Sequence, residues 1–190
     1  MLKYLLPIFL AFTILLPQRM TAQEERHGDG IDDVLQYTPY LAVFTLKACG
    51  VESASSWKRM SVNAGASFLL TAGVTFALKQ SIHDRRPDGT DRKSFPSGHT
   101  AYAFAGATML HKEYRRVSPW ISVAGYSVAV ITAADRIRRN RHEWDDVLVG
   151  AGIGILGTEA GYWLGDKITG EHSRYRVSIS PETVTLTVNL

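Results

Sequence analysis

Ser61–Leu78 reads SVNAGASFLLTAGVTFAL, 18 residues without a charge and rich in Gly, Ala, Ser and Thr. About 20 apolar residues cross a bilayer, so the stretch is a borderline span. Small residues of this kind let helices approach closely inside a membrane. Outward from it the pattern recurs. Val117–Ala134 (VSPWISVAGYSVAVITAA) is again 18 residues without charge, and Val147–Gly165 contains only Glu159. Val34–Leu46 is moderately apolar and followed by Lys47, while Thr100–Leu110 is apolar but short for a span. Helix-length apolar segments separated by polar loops predict an all-α fold, a compact bundle of about five or six helices embedded in a membrane, over residues 34–168. Buried helices of a soluble all-α enzyme share the same small-residue composition.

Residues 169–190 change character. Tyr175, Val177 and Ile179, then Val184, Leu186, Val188 and Leu190, alternate with polar residues around Ser180-Pro181-Glu182, which predicts a short C-terminal β-hairpin. At the other end, Lys3 and the apolar run Tyr4–Pro17 mark residues 1–22 as a signal peptide or a first membrane helix. Either places residues 23–33 outside the cytoplasm as an exposed polar lead-in carrying Glu24, Glu25, Asp29, Asp32 and Asp33.

Composition narrows the function. The chain has 190 residues and one cysteine, Cys49, so a disulfide framework and a multi-thiolate zinc site are excluded. Lys+Arg 21 against Asp+Glu 18 gives +3, but Lys3 and Arg19 fall in the leader, leaving 19 − 18 = +1. With no polycationic run, nucleic acid is not an expected partner. A hydrophobic content of 45% excludes disorder. No Gly-rich phosphate loop of Walker type is present.

Charge in the loops carries more information. If the segments alternate across a membrane, Lys58, Arg59, Lys112, Arg115 and Arg116 share the cytoplasmic side, as the positive-inside rule expects. The loops 79–98 and 135–146 then share the opposite side, yet they are also strongly basic. Those cations need another purpose. They lie in three clusters: Lys79–Pro87 (KQSIHDRRP), Phe95–Thr100 (FPSGHT) and Asp135–Asp146 (DRIRRNRHEWDD).

Phosphoryl transfer needs charge stabilisation on three equatorial oxygens, an in-line nucleophile and a proton for the leaving group. Lys and Arg supply a clamp, and Ser97-Gly98 at a helix start can offer a hydroxyl and backbone N–H groups to an anion. Two histidines can divide nucleophile and acid between them. Asp145 and Asp146, at i+3 and i+4, both reach back to His142. His83 and His111 are expected to be surface or interfacial, and Arg85, Arg138, Arg139 and Arg141 to form a solvated rim. Glu159, costly against lipid, should face the interior or a polar cavity.

The order K-x6-R-P, P-S-G-H, R-x5-H-x3-D, from Lys79 to Asp146, resembles the signature of the type 2 phosphatidic acid phosphatases (PAP2), a superfamily that includes bacterial acid phosphatases and vanadium haloperoxidases. The resemblance implies that His142 attacks phosphorus to form a phosphohistidine, Asp146 orients it, and His99 protonates the leaving oxygen. It implies that Lys79, Arg86, Ser97, Gly98 and Arg136 hold the phosphoryl oxygens, and that no metal or other cofactor is needed. Asp135 departs from the pattern, which has Ser there; the carboxylate could repel phosphate or pair with a neighbouring Arg. Similarity to small exported bacterial members implies a lipid phosphate substrate, lipid A phosphate favoured, in the inner membrane with the site facing the periplasm. Undecaprenyl pyrophosphate hydrolysis and a soluble periplasmic acid phosphatase are the alternatives.

Overall fold

The computed structural model describes residues 31–171, together with the backbone of Tyr175–Ile179 and Val184–Val188. Residues 1–22, expected to be a signal peptide or a first membrane helix, and residues 23–30 of the lead-in lie outside the described residues. Six helices follow in order: α1 (Ile31–Leu35), α2 (Thr38–Ala48), α3 (Trp57–Ser81), α4 (Gly98–Tyr114), α5 (Pro119–Arg138) and α6 (Trp144–Thr169). Their ends follow capping chemistry. Ser56 Oγ accepts from Arg59 N at 3.0 Å, and Ser118 Oγ precedes Pro119 at the start of α5. Glu143 and Asp146 form a reciprocal capping box on α6, and Gly170, at φ 68°, closes its last turn in the left-handed region.

α4 is the central helix, with α2, α5 and α6 packed around it and α3 packed mainly on α6. This explains why Thr100–Leu110 is apolar yet too short to span: almost every residue of it is buried by protein. The small residues permit the contacts. A Cβ on Gly154 would lie 2.3 Å from the Ala101 carbonyl oxygen, and one on Gly161 would lie 2.5 Å from Ser67 Cα, so α6 meets α4 and α3 backbone to backbone.

Where soluble bundles are apolar inside and polar outside, this one is largely reversed. Asn63, Ser67, Thr71, Thr132 and Thr158 are completely buried, whereas Leu69, Phe76, Leu148 and Leu156 are each at least 65% exposed. Among the described residues two helices, α3 and α6, are long and apolar enough to cross a membrane. At 25 and 26 residues they reach about 38 Å, against a hydrocarbon core of about 30 Å. α5, expected to be a third span, does not reach that mark, because its helical range takes in Asp135, Arg136 and Arg138.

The helices reverse direction so that the end of α3, the start of α4, the end of α5 and the start of α6 lie at one end of the bundle. The other end holds the Arg59–Asp166 ion pair and the exposed rings of Trp57, Trp120 and Trp163. Glu159 meets Lys112 there at 2.6 Å, lining a polar cavity of about 480 Å³, as expected of a carboxylate within an apolar segment. The C-terminal strands β1 (Tyr175–Ile179) and β2 (Val184–Val188) form the expected antiparallel hairpin, with Tyr175 opposite Val188 and Ile179 opposite Val184.

Candidate active site

His142 sits just before α6, and Asp146 is the third residue of that helix. The turn places the Asp146 Oδ2 atom 3.2 Å from His142 Nδ1. The same oxygen accepts from the Glu143 backbone N–H at 3.0 Å and from the Ser94 hydroxyl. His142 is 3% exposed and Asp146 is fully buried, whereas Asp145, which sequence spacing leaves as a rival, is exposed. A carboxylate accepting Nδ1–H fixes the tautomer and leaves the Nε2 lone pair free. Burial pushes the His142 imidazole down to about 4, helped by the positive charges of Arg136 and Arg86 and opposed by Asp146. Ser94 has no signal in the sequence, being an ordinary loop serine ahead of Phe95-Pro96.

Three guanidinium groups share one construction. Arg86 Nε donates to Asp91 at 2.8 Å, Arg136 Nη1 to Asp32, and Arg141 Nη1 to Asp88 at 2.8 Å. Each then keeps one buried nitrogen without a partner among the described residues: Arg86 Nη1, Arg136 Nε and Arg141 Nε. Unpaired buried donors are costly, and an anion would satisfy them. Arg141 is therefore a correction to the expected rim, since its carboxylate brace turns it inward. Arg139 is also drawn in, donating to Asp32 at 2.8 Å. Arg138 stays exposed and donates through Nε to Asp135 at 2.9 Å, so the departing Asp135 pairs with a neighbouring arginine.

Lys79 Nζ donates to the carbonyls of Lys93 at 2.7 Å and Ser94 at 3.3 Å. Gly98 packs beside it, with its Cβ position 3.9 Å from Lys79 Cε. Ser97 is buried and ties its backbone N–H to the Asp146 carbonyl at 3.0 Å, while its hydroxyl meets Thr100 Oγ1 at 2.9 Å. The Asp88 N–H bonds the Asn140 carbonyl at 3.1 Å, closing the first loop over the third cluster. All eight residues picked from the sequence thus meet at one end of the bundle. His83 lies exposed in that loop, and His111 is at the far end beside Ser122.

The lead-in contributes what the sequence reading missed. Asp32 and Asp33 are expected to be exposed with the acidic stretch, but Asp32 is fully buried between Arg136 and Arg139. Burial alone would raise its carboxyl, yet the Arg136 hydrogen bond and charge hold it below the usual carboxylate range. Asp33 Oδ1 lies 2.6 Å from His99 Nε2. The physical reason is charge: a site this rich in cations draws in carboxylates. The only cue in the sequence is that the Asp pair directly abuts the first apolar segment. Asp32, Asp33 and His99 also bring three metal-type donor atoms within 4.8 Å. A cation there would face the two arginines already bound to Asp32.

A buried imidazole with a free lone pair, a second imidazole and a cradle of unpaired N–H groups can together support in-line transfer of a phosphoryl group. The model of the PAP2 superfamily matches residues 60–169, which run from the first turn of α3 to the end of α6 and take in all eight candidate site residues. The chain belongs to the PAP2 superfamily. This PAP2 chain is 45% identical over 151 residues to a lipid A 1-phosphatase of Porphyromonas gingivalis, the alignment covering 79% of the chain and 34% of that protein. It spans about a third of that relative's length. Its fold is also similar to the crystal structure of Aquifex aeolicus LpxE, with a TM-score of 0.52 and 24% identity over 72% of this chain and 87% of that one. This second likeness speaks for the fold alone.

Proposed function

We propose that this PAP2 protein is a lipid phosphatase that removes the 1-phosphate of lipid A through a phosphohistidine. The observation that carries the reading is the His142–Asp146 pair set among the buried, unpaired N–H groups of Arg86, Arg136 and Arg141. The P. gingivalis relative, named for lipid A 1-phosphate, supports the substrate. In this scheme His142 Nε2 forms a bond to phosphorus while the P–O bond to the lipid breaks, and His99 gives its proton to the departing oxygen. Water then attacks the phosphohistidine, His99 takes a proton from it, and inorganic phosphate leaves. Lys79, Arg86, Arg136, Ser97 and the Gly98 N–H hold the equatorial oxygens, with Arg141 added. These cations supply the charge stabilisation, so the scheme calls on no metal.

We also place the protein in the bacterial inner membrane with this end facing the periplasm. The apolar exterior of α3 and α6 supports a lipid setting over a soluble acid phosphatase. The basic loops at the far end fit a cytoplasmic side.

Mass spectrometry of lipid A and polyprenyl phosphates, from cells with and without the protein, tests the substrate. Loss of one phosphate from lipid A, absent with a His142→Ala variant, is expected. Unchanged lipid A with altered undecaprenyl pyrophosphate would overturn the substrate assignment.

A further inference from the structure

The site contains two carboxylate–imidazole contacts, and the scheme above uses only one. Asp146 holds His142, and Asp33 meets His99 Nε2 at 2.6 Å. Burial disfavours an imidazolium at His99, and the charge of Arg136 acts in the same direction. A general acid must carry its proton when the substrate arrives. The only carboxylates contacting His99 among the described residues are Asp32, at 3.9 Å, and Asp33. Asp32 is spent on Arg136 and Arg139.

We propose that Asp33 is the positioning residue for the leaving-group acid: it accepts the His99 Nε2–H, so that the proton delivered to the lipid oxygen is the one on Nδ1. After that transfer His99 is neutral with its remaining proton on Nε2, still held by Asp33. Nδ1 is then free to take a proton from the water that opens the phosphohistidine. Asp32 and Asp33, at the end of the acidic stretch, thereby belong to the catalytic end.

The opposite reading, in which Asp32 and Asp33 act as a phosphate mimic that blocks the pocket, is opposed by the clamp. Arg86 Nη1, Arg136 Nε and Arg141 Nε stay buried and unpartnered with the acidic pair in place. The pair flanks the anion cradle and does not fill it.

The proposal rests on the phosphatase reading, and a leaving-group comparison in purified full-length protein separates the two. A sugar or alkyl phosphate needs a protonated leaving oxygen, while p-nitrophenyl phosphate leaves as a stable anion. Asp33→Asn is expected to lower kcat on lipid A 1-phosphate on the order of 10²-fold, the low end of what general acid catalysis supplies. It should cost p-nitrophenyl phosphate less than about 5-fold, with His99→Ala showing the same split. Asp33→Glu should recover part of the loss. Equal losses on both substrates, no loss on either, or a gain in activity would each overturn the role of Asp33. A His142→Ala protein that remained active on both would instead overturn the phosphatase mechanism itself.

Discussion

The carboxylate of Asp146, in the first turn of α6, and the imidazole of His142, just ahead of that helix, are 3.2 Å from each other, and both are shut away from solvent. Asp146 is also locked from behind, by the Glu143 N–H and the Ser94 hydroxyl. The orientation of the ring is therefore set by the fold before substrate arrives.

Replacing either partner should stop turnover without unfolding the protein. His142→Ala is expected to lower kcat on the order of 10³–10⁶-fold, as when groups that act together are lost. Asp146→Asn, which spares the shape but favours the wrong tautomer, should cost on the order of 10⁴-fold. Phosphate release and alkali-quenched, acid-labile labelling of His142 from a 32P substrate measure both.

The pH profile should reflect the depressed imidazole. A nucleophile must be neutral, and His142 is charged only below about 4, so the acid limb of kcat/KM should fall near that value and not near 6.5. Burial causes most of the depression and Arg136 and Arg86 add to it, so removing either charge should move the limb upward. An acid limb near 6.5 in the wild type would contradict the buried, cation-flanked setting.

Arg136 and Asp32 should be coupled in stability but not in activity. Arg136→Ala leaves a buried carboxylate short of its partner, a change that costs about 3–5 kcal/mol when a buried pair is broken. Adding Asp32→Asn should restore part of that stability in a thermal or denaturant melt in detergent. It should not restore turnover, because the clamp donor is still missing, and Arg136→Lys should rescue poorly for lack of the planar fork. Additive stability losses would show that the pair is not coupled.

Gly154→Leu should impair assembly of the bundle. Even a Cβ would sit 2.3 Å from the Ala101 carbonyl, and overpacking of this kind commonly costs about 1–3 kcal/mol or more. Gly152→Leu, where a Cβ meets nothing, serves as the control. Yield and monodispersity in detergent report the difference.

Topology can be read by cysteine labelling once the exposed Cys49 is replaced by serine. Gly89→Cys, in the loop over the site, should react with an impermeant maleimide in intact spheroplasts. Val117→Cys, exposed at the far end, should react only after lysis. The reverse pattern would invert the proposed orientation.

The helices and the small-residue seams were legible in the sequence because each is a local matter, while the eight candidate site residues were named there through the resemblance to the PAP2 motifs. Charge-free runs of helix length and glycines that admit a neighbouring backbone need no distant contact to be recognised. The His142–Asp146 couple is also local, since i to i+4 on a helix start already brings the two together.

Only the tertiary structure decided which charges are paired with which. Asp32 bonds Arg136 and Arg139 across more than 100 residues, Asp88 bonds Arg141 across 53, and Ser94 bonds Asp146 across 52. Nothing in the local pattern separates Arg141, turned in by its carboxylate, from Arg138, turned out. Asp32 and Asp33 look like any solvated acidic pair until the bundle end gathers enough positive charge to draw them in. Periodicity reports which face of a helix is buried, but ion pairing depends on the summed field of several chain segments, and that field exists only once they are packed together.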